Sequence, residues 1–249
     1  MGGMTRSLRV ATYNIHKGVQ GLGPGRRLEI HNLQLAVEQI DADVVCLQEV
    51  RRFHQREARR LARWPALPQA DYLAPDGYHA VYRTNAVTRH GEHGNALLTR
   101  WPVRAFGHED MSDHRFEQRG LLHVEVEVEG APVHVIVVHL GLIAASRRRQ
   151  VAQLGRFIAR EVPAGVPLVV AGDFNDWGAK LQAPMATLGL SDCGAQLGRR
   201  PLTFPARLPL TQLDFVYSRG LRVVEVTVPH GPGWRRMSDH LPLIADLRF

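Results

Sequence analysis

LLHVEVEVEGAPVHVIVVHL, residues 121–140, is the stretch that decides the fold class. Leu122, Val124, Val126 and Val128 fall on one side of an extended chain. His123, Glu125, Glu127 and Glu129 fall on the other. Period-two alternation of this kind marks a strand with one buried face. Gly130 then supplies a turn, and a second strand follows that is apolar on both faces. The pair reads as a β-hairpin whose second strand lies deep in a core. Other strands read out from it on both sides: LRVATYNI (8–15), DADVVCLQEV (41–50), GYHAVYRT, GNALLTRWPV, VPLVVAGD, TQLDFVYSR, LRVVEVTV and HLPLIADLRF.

Helical spacing is scarcer. Leu33, Val37 and Ile40 recur at three- and four-residue steps in 31–40. Val151, Leu154, Phe157, Ile158 and Val162 do so in 146–161, with Arg147, Arg148, Arg149, Arg156 and Arg160 on the opposite face. AKLQAPMATLGL reads as a helix interrupted by Pro184. About ten strands and a few helices, with no linker, repeat or composition break, predict one domain over 1–249, with 1–7 a flexible N-terminus. Two sheets packed face to face with helices outside would bury these strands.

The 249 residues are 45% hydrophobic, enough for a large core. No run of about 18 apolar residues predicts a membrane span. The N-terminus lacks a hydrophobic signal region, and only Cys46 and Cys193 occur, so the expected location is cytoplasmic, without disulfides. The net charge of +7 comes from 29 arginines against two lysines, Lys17 and Lys180. That balance suits anionic partners, although base composition of the genome could produce it too.

Polar clusters recur at the ends of the apolar strands. Asn14 follows VATY, Glu49 follows VVCLQ, His139 follows VIVV, and Asp173 and Asn175 follow LVVAG. Asp214 lies in TQLDFVYSR, and Asp239-His240 precedes LPLIADL. Each alone reads as a surface turn. Together they read as a site if the fold brings these strand ends to one rim. Carboxylate and amide oxygens are hard ligands that favour Mg²⁺ or Mn²⁺ over zinc, and no CxxC or HExxH is present. Imidazoles move protons near neutral pH. The set suits metal-assisted hydrolysis of a phosphoester.

In order, TYNIHKG, CLQEV, GNALLTR, VVHLGL, AGDFND, LDFVYS and SDHLPL resemble the motifs of the endonuclease/exonuclease/phosphatase superfamily, from Val10 to the C-terminus. The resemblance implies an α/β fold: a four-layer α-β-β-α sandwich of two mostly antiparallel sheets with helices outside. It implies a Mg²⁺-dependent phosphoester hydrolase, with Mn²⁺ as a substitute. It implies Glu49 as the principal metal ligand, with Asn14 and Asp239 on the metal side. Asp173 would position or activate water, Asn175 would hold a phosphate oxygen, and His240, oriented by Asp214, would be the catalytic imidazole. His139 matches the second histidine of the deoxyribonuclease I and sphingomyelinase branches, and argues against an abasic-site repair enzyme.

Three further residues are candidates for substrate contact. Arg51 follows Glu49 by two positions and either touches phosphate or is simply solvated. Asn95 either lines the site or belongs to a turn. Arg149, with Arg147 and Arg148, either steers an anion or lies on a solvated helix face. The carboxylate partner of His139 is not evident. Glu92 is near the right region, but His93 takes the aligned place. The substrate expected is a small or lipid-derived phosphodiester or a phosphomonoester, met by a monomer with at most peripheral lipid contact. Nucleic acid is the alternative substrate, and a non-catalytic binding module on the same fold is the alternative function.

Overall fold

The computed structural model describes residues 6–21 and 23–249. One sheet runs, edge to edge, through Arg222–Thr227 (β13), Leu243–Arg248 (β14), Ser7–Asn14 (β1), Val44–His54 (β4), Gly91–Thr99 (β6) and His79–Thr88 (β5). The other runs through Ser191–Asp192 (β11), Asp214–Arg219 (β12), Leu168–Asp173 (β10), Ala131–His139 (β9), Gly120–Val128 (β8) and Val103–Asp110 (β7). A small ribbon pairs Val19–Gln20 (β2) with Arg27–Leu28 (β3). Helices cover Ile30–Ile40 (α1), Gln55–Arg60 (α2), Gln69–Leu73 (α3), Ala144–Glu161 (α4), Gln182–Thr187 (α5), Cys193–Gln196 (α6) and Trp234–Met237 (α7).

Each large sheet is antiparallel except at its centre. There β1 pairs parallel with β4, and β9 parallel with β10. Parallel neighbours need a crossover, and α1 and α4 supply it. The two sheets therefore carry one β-α-β unit each. This symmetry places the C-terminal ends of four strands at a common rim, the usual location of sites in open α/β sheets.

Three apolar layers hold the four-layer arrangement. Between the sheets, Leu122, Val124, Val126 and Val128 meet Val10, Cys46, Val169, Val216 and Ala245. Outside the first sheet, Leu33, Val37 and Ile40 of α1 pack on Tyr13, Val45 and Leu47. Outside the second, Leu154, Phe157 and Ile158 of α4 pack on Ile136, Leu168 and Val170. Burying each such Val, Leu or Phe contributes roughly 1.5–3 kcal/mol over leaving it exposed. Both cysteines are buried free thiols.

Several expectations are adjusted. Of the segment expected to be flexible, 1–5 lie outside the described residues, whereas Ser7 pairs with Arg248 in β1. Pro184 does not interrupt its helix. It sits in the first turn of α5, where no intrahelical N–H is missed. Arg147 is not on the solvated face of α4. It is buried, and its Nη1 donates to the carbonyls of Gly141 and Leu142, fastening the turn after β9.

The outer face of the 121–140 hairpin is also more buried than its alternation implies. His123 and His134 stack 5.0 Å apart, with Nε2 of one 2.8 Å from Nδ1 of the other, against Phe157 of α4. Burial and then the neighbouring imidazole push His123 down to about 4, and burial pushes His134 down as well. A lowered histidine pKa means the folded chain binds fewer protons than the unfolded one. Stability is then full above the ordinary value of 6.5 and falls as pH drops from there toward about 4. The urea midpoint should fall over that window, and His123→Gln should flatten the slope. An unchanged slope in the variant would place the acid sensitivity elsewhere.

Candidate active site

Asn14, His139 and Asp173 are the last residues of β1, β9 and β10, and Glu49 interrupts β4. Asp214 opens β12, and His240 lies three residues before β14. Those last two strands run antiparallel to their neighbours, so their starts reach the same rim. Asp173 stands in register with His139 on one side and Asp214 on the other. Gly172 makes this approach feasible. A Cβ there would fall 1.9 Å from the Val138 carbonyl oxygen, so a side chain would force β9 and β10 apart.

Two site residues hold left-handed backbone without being glycine. Glu49 has φ 57°, at a register shift between Leu47 and Val50, and Asn175 has φ 47°. Such conformations cost on the order of 1–3 kcal/mol each and persist where surrounding structure enforces them. Here they turn the Glu49 carboxylate and the Asn175 amide out of regular strand geometry.

Asp173 is the hub. Its Oδ2 accepts from Asn14 Nδ2 at 3.1 Å, a bond that joins the two sheets. Its Oδ1 accepts from the Asn175 backbone N–H at 2.9 Å. His139 Nε2 lies 3.5 Å away and His240 Nε2 3.6 Å away. His240 Nδ1 donates to Asp214 Oδ2 at 2.8 Å, and Phe204 covers the ring at 4.9 Å. Asn175 gives one Nδ2 hydrogen to the Leu140 carbonyl. Ser238 Oγ donates to the Asn14 carbonyl, tying the 238–240 turn to β1.

Beside this hub lies a second charged group. Lys17 Nζ is 2.6 Å from Glu49 Oε2, a charge-assisted ion pair that is the carboxylate's close cationic contact. His16 Nδ1 is 3.2 Å from Asp239 Oδ2. Burial opposes the Asp239 charge, but His16 and then His240 outweigh it and hold the carboxyl below its usual range, with Glu49 near enough to act weakly against them. Burial opposes the Glu49 charge, but Lys17 and then His139 outweigh it and hold the carboxyl far below its usual range.

The two histidines are driven in opposite directions. Burial and then Arg119 push His139 down to about 4, so it is neutral. Burial opposes the His240 charge, yet Asp214 and then Asp173 lift it to about 10, so it is an imidazolium. Burial raises Asp173 above the usual carboxylate range, with the imidazoles opposing. Titratable neighbours pushed apart in this way mark acid and base roles.

The structure thus gathers Asn14, His139, Asp173, Asn175, Asp214 and His240 by direct contact, with Glu49 and Asp239 adjoining. The three substrate-contact candidates are placed differently. Arg51 is buried and its Nη1 is bonded to Glu57. Asn95 is buried between the sheets, and its Nδ2 donates to the carbonyls of Gly120 and Val137. Arg149 is exposed but holds Asp113 with two bonds of 2.6 Å. Each guanidinium already has a carboxylate, and the Asn95 donor is used in bracing the sandwich. Glu92 accepts from Thr84 rather than from His139. The charge facing His139 is instead that of Asp173 and Glu49. Sequence reasoning gave no site role to His16, Lys17 or Arg119. The signal for the first two was the polar run following TYN, where His16 and Lys17 also take positive φ.

The donor set fits a hard divalent cation. Glu49 and Asp239 offer carboxylate oxygens, and Glu49 is kept ionised with a side-chain ammonium, Lys17, already beside its Oε2. Asn14 is less free than the sequence suggests. Its Oδ1 accepts from the His16 N–H while its Nδ2 serves Asp173. Asp173, Asp214 and His240 form a tighter cluster, with ligand atoms within 4.8 Å of one another. Each half of the site already has a cation, His240 between Asp173 and Asp214 and Lys17 beside Glu49. Lys17 is the more exposed of the two, so the Glu49 side is the one an ion can more readily enter.

Comparison with known proteins agrees with this geometry. The sequence profile described as Endonuclease/Exonuclease/phosphatase family matches residues 11–240. A protein of Escherichia coli K12 described as uncharacterized protein YbhP is 37% identical over 248 residues, covering 98% of this chain and 97% of that one. The crystal structure of an endonuclease/exonuclease/phosphatase from Beutenbergia cavernae superposes with TM-score 0.72 at 26% identity, over 98% of this chain and 72% of that chain. The human Nocturnin catalytic domain with bound sulfate superposes with TM-score 0.72 at 22% identity, over 97% and 94% of the two chains.

Proposed function

The chain belongs to the endonuclease/exonuclease/phosphatase family, and from that premise we propose that it is a Mg²⁺-dependent phosphodiesterase acting at the Asp173 rim. The observation that carries the reading is Asp173 itself. It is a buried carboxylate held by Asn14 and the Asn175 N–H, between a neutral and a protonated histidine. A water at the rim would pass its proton to Asp173 as its oxygen bonds to phosphorus, while the ester P–O bond breaks and the departing alkoxide takes a proton from solvent. Burial raises the affinity of that carboxyl for a proton, which suits a base. His240, kept charged by Asp214, would hydrogen-bond a phosphate oxygen and offset the charge growing there. The second Nδ2 hydrogen of Asn175 would serve another phosphate oxygen. Glu49 and Asp239 would hold the cation, with Asn14 orienting the site, and when bound that ion would lower the charge on the phosphoryl group.

The finer reading is a small or lipid-derived diester. A groove of about 560 Å³ is lined by His93, Arg119 and Arg115 together with Val87 and Phe116. Phe116 is 82% exposed and Leu142 63% exposed, and Leu142 is joined to the same loop through the Glu117 carboxylate. A groove with both apolar and cationic walls suits an amphiphilic phosphoester. The chain's arginines keep nucleic acid as the second reading. A panel under one Mg²⁺ condition separates the two: glycerophosphodiesters, dispersed phospholipid, supercoiled plasmid, single-stranded oligonucleotide and inositol phosphates. Turnover of the first two well above the plasmid is expected. Preferential plasmid nicking that collapses as salt rises would favour the nuclease, and no turnover of any phosphoester would favour a binding module.

A further inference from the structure

Beyond Glu49, β4 continues through Arg51 to His54 and runs directly into α2. The end of β4, α2 itself, His90 and the Gly23 turn enclose a cavity of about 270 Å³. It is lined by Arg26, Arg51, Arg56, Arg60, His54 and His90, with Glu57 as its one carboxylate. Glu57 is buried and already bonded to both Arg26 and Arg51. Four guanidiniums therefore share one negative charge. Among the described residues, Arg26 Nε is buried with no hydrogen-bond partner, and Arg51, also buried, has a partner for only one of its side-chain nitrogens. Burial and then Arg51 push the His54 pKa down, and its Nδ1 accepts from the Glu57 N–H, which leaves Nε2 as a donor. Like charges crowded into a concave, partly enclosed space repel unless an anion joins them.

We propose that this cavity is a phosphoryl-binding subsite, which takes a second phosphate group beside the one being cleaved. Guanidinium forks match the tetrahedral oxygens, and the unused donors of Arg26 and Arg51 supply directional bonds. Arg51 is two residues past Glu49, so their Cα atoms lie no more than about 7 Å apart. Glu49 and Arg51 act electrostatically on each other, which agrees with that spacing. Placing a substrate phosphate here rests on the hydrolase reading. Anion binding itself does not.

Two measurements test it, using the metal-free full chain and the variant Arg56→Gln/Arg60→Gln. Both side chains are exposed, and circular dichroism checks that the fold is kept. Calorimetry with pyrophosphate and with inorganic phosphate should show saturable binding by the wild type, weakened at least tenfold in the variant. Equal binding by both proteins, or no saturation by the wild type at millimolar concentrations, overturns the proposal. The second measurement compares hydrolysis of a plain diester with that of a diester bearing an additional terminal phosphate. A wild-type preference for the latter that falls about tenfold in the variant identifies the ligand as the substrate's second phosphate. A preference unaltered while pyrophosphate binding is lost identifies free phosphate as the ligand. If no diester is cleaved, the hydrolase reading fails while the calorimetry still decides the cavity.

Discussion

Asp173→Asn should lower kcat for diester hydrolysis about 10³-fold while the protein stays folded. The substitution keeps the shape of the side chain and an oxygen able to accept from Asn14 or from the Asn175 N–H. It removes the proton-accepting charge. A positioned base contributes 10²–10⁴-fold, and three decades correspond to about 4 kcal/mol of transition-state stabilisation. The loss should appear in kcat, because the phosphate contacts assigned to His240 and Asn175 remain. His240 should also lose part of what keeps it charged, since Asp173 is the second cause of its raised pKa after Asp214. Steady-state kinetics on an activated diester, with circular dichroism of the variant, measures both. A folded Asp173→Asn protein with wild-type kcat would move the base to another residue.

Much of the sandwich was legible because its strands carry period-two patterns with one apolar face. The hairpin at 121–140 has the two strands its alternation announces. The strand before AGDFND ends at Asp173, and every acidic, amide or imidazole residue read at a strand end lies at or beside the rim. What escaped depended on contacts that strand and helix periodicity do not encode. Arg51, Asn95 and Arg149 have the chemistry of phosphate contacts. How free a guanidinium is depends on which carboxylate folds against it: Glu57 takes one nitrogen of Arg51, and Asp113 takes two of Arg149. Arg147 looked solvated because helical spacing says nothing of the turn carbonyls that α4 meets. His16 and Lys17 carry no strand or helix pattern. Their link to Asp239 and Glu49 exists only once β1, β4 and the 238–240 turn meet.

The claim that these strand ends form a metal-dependent hydrolytic centre depends most on Glu49. Its carboxylate is kept ionised, and a single ammonium, Lys17, sits 2.6 Å from its Oε2 in the place a cation would take. Glu49→Gln preserves the size of the side chain and removes the charge a hard cation requires. The decisive measurement is a Mg²⁺ titration of chelator-stripped protein, reading hydrolysis of an activated diester, for the wild type and for Glu49→Gln. The stripped wild type should be inactive and recover along a saturable curve. Glu49→Gln should need at least tenfold more Mg²⁺ and reach no more than about one hundredth of the wild-type rate. Full activity in the stripped wild type, or superimposable curves for the two proteins, would contradict a metal held at Glu49.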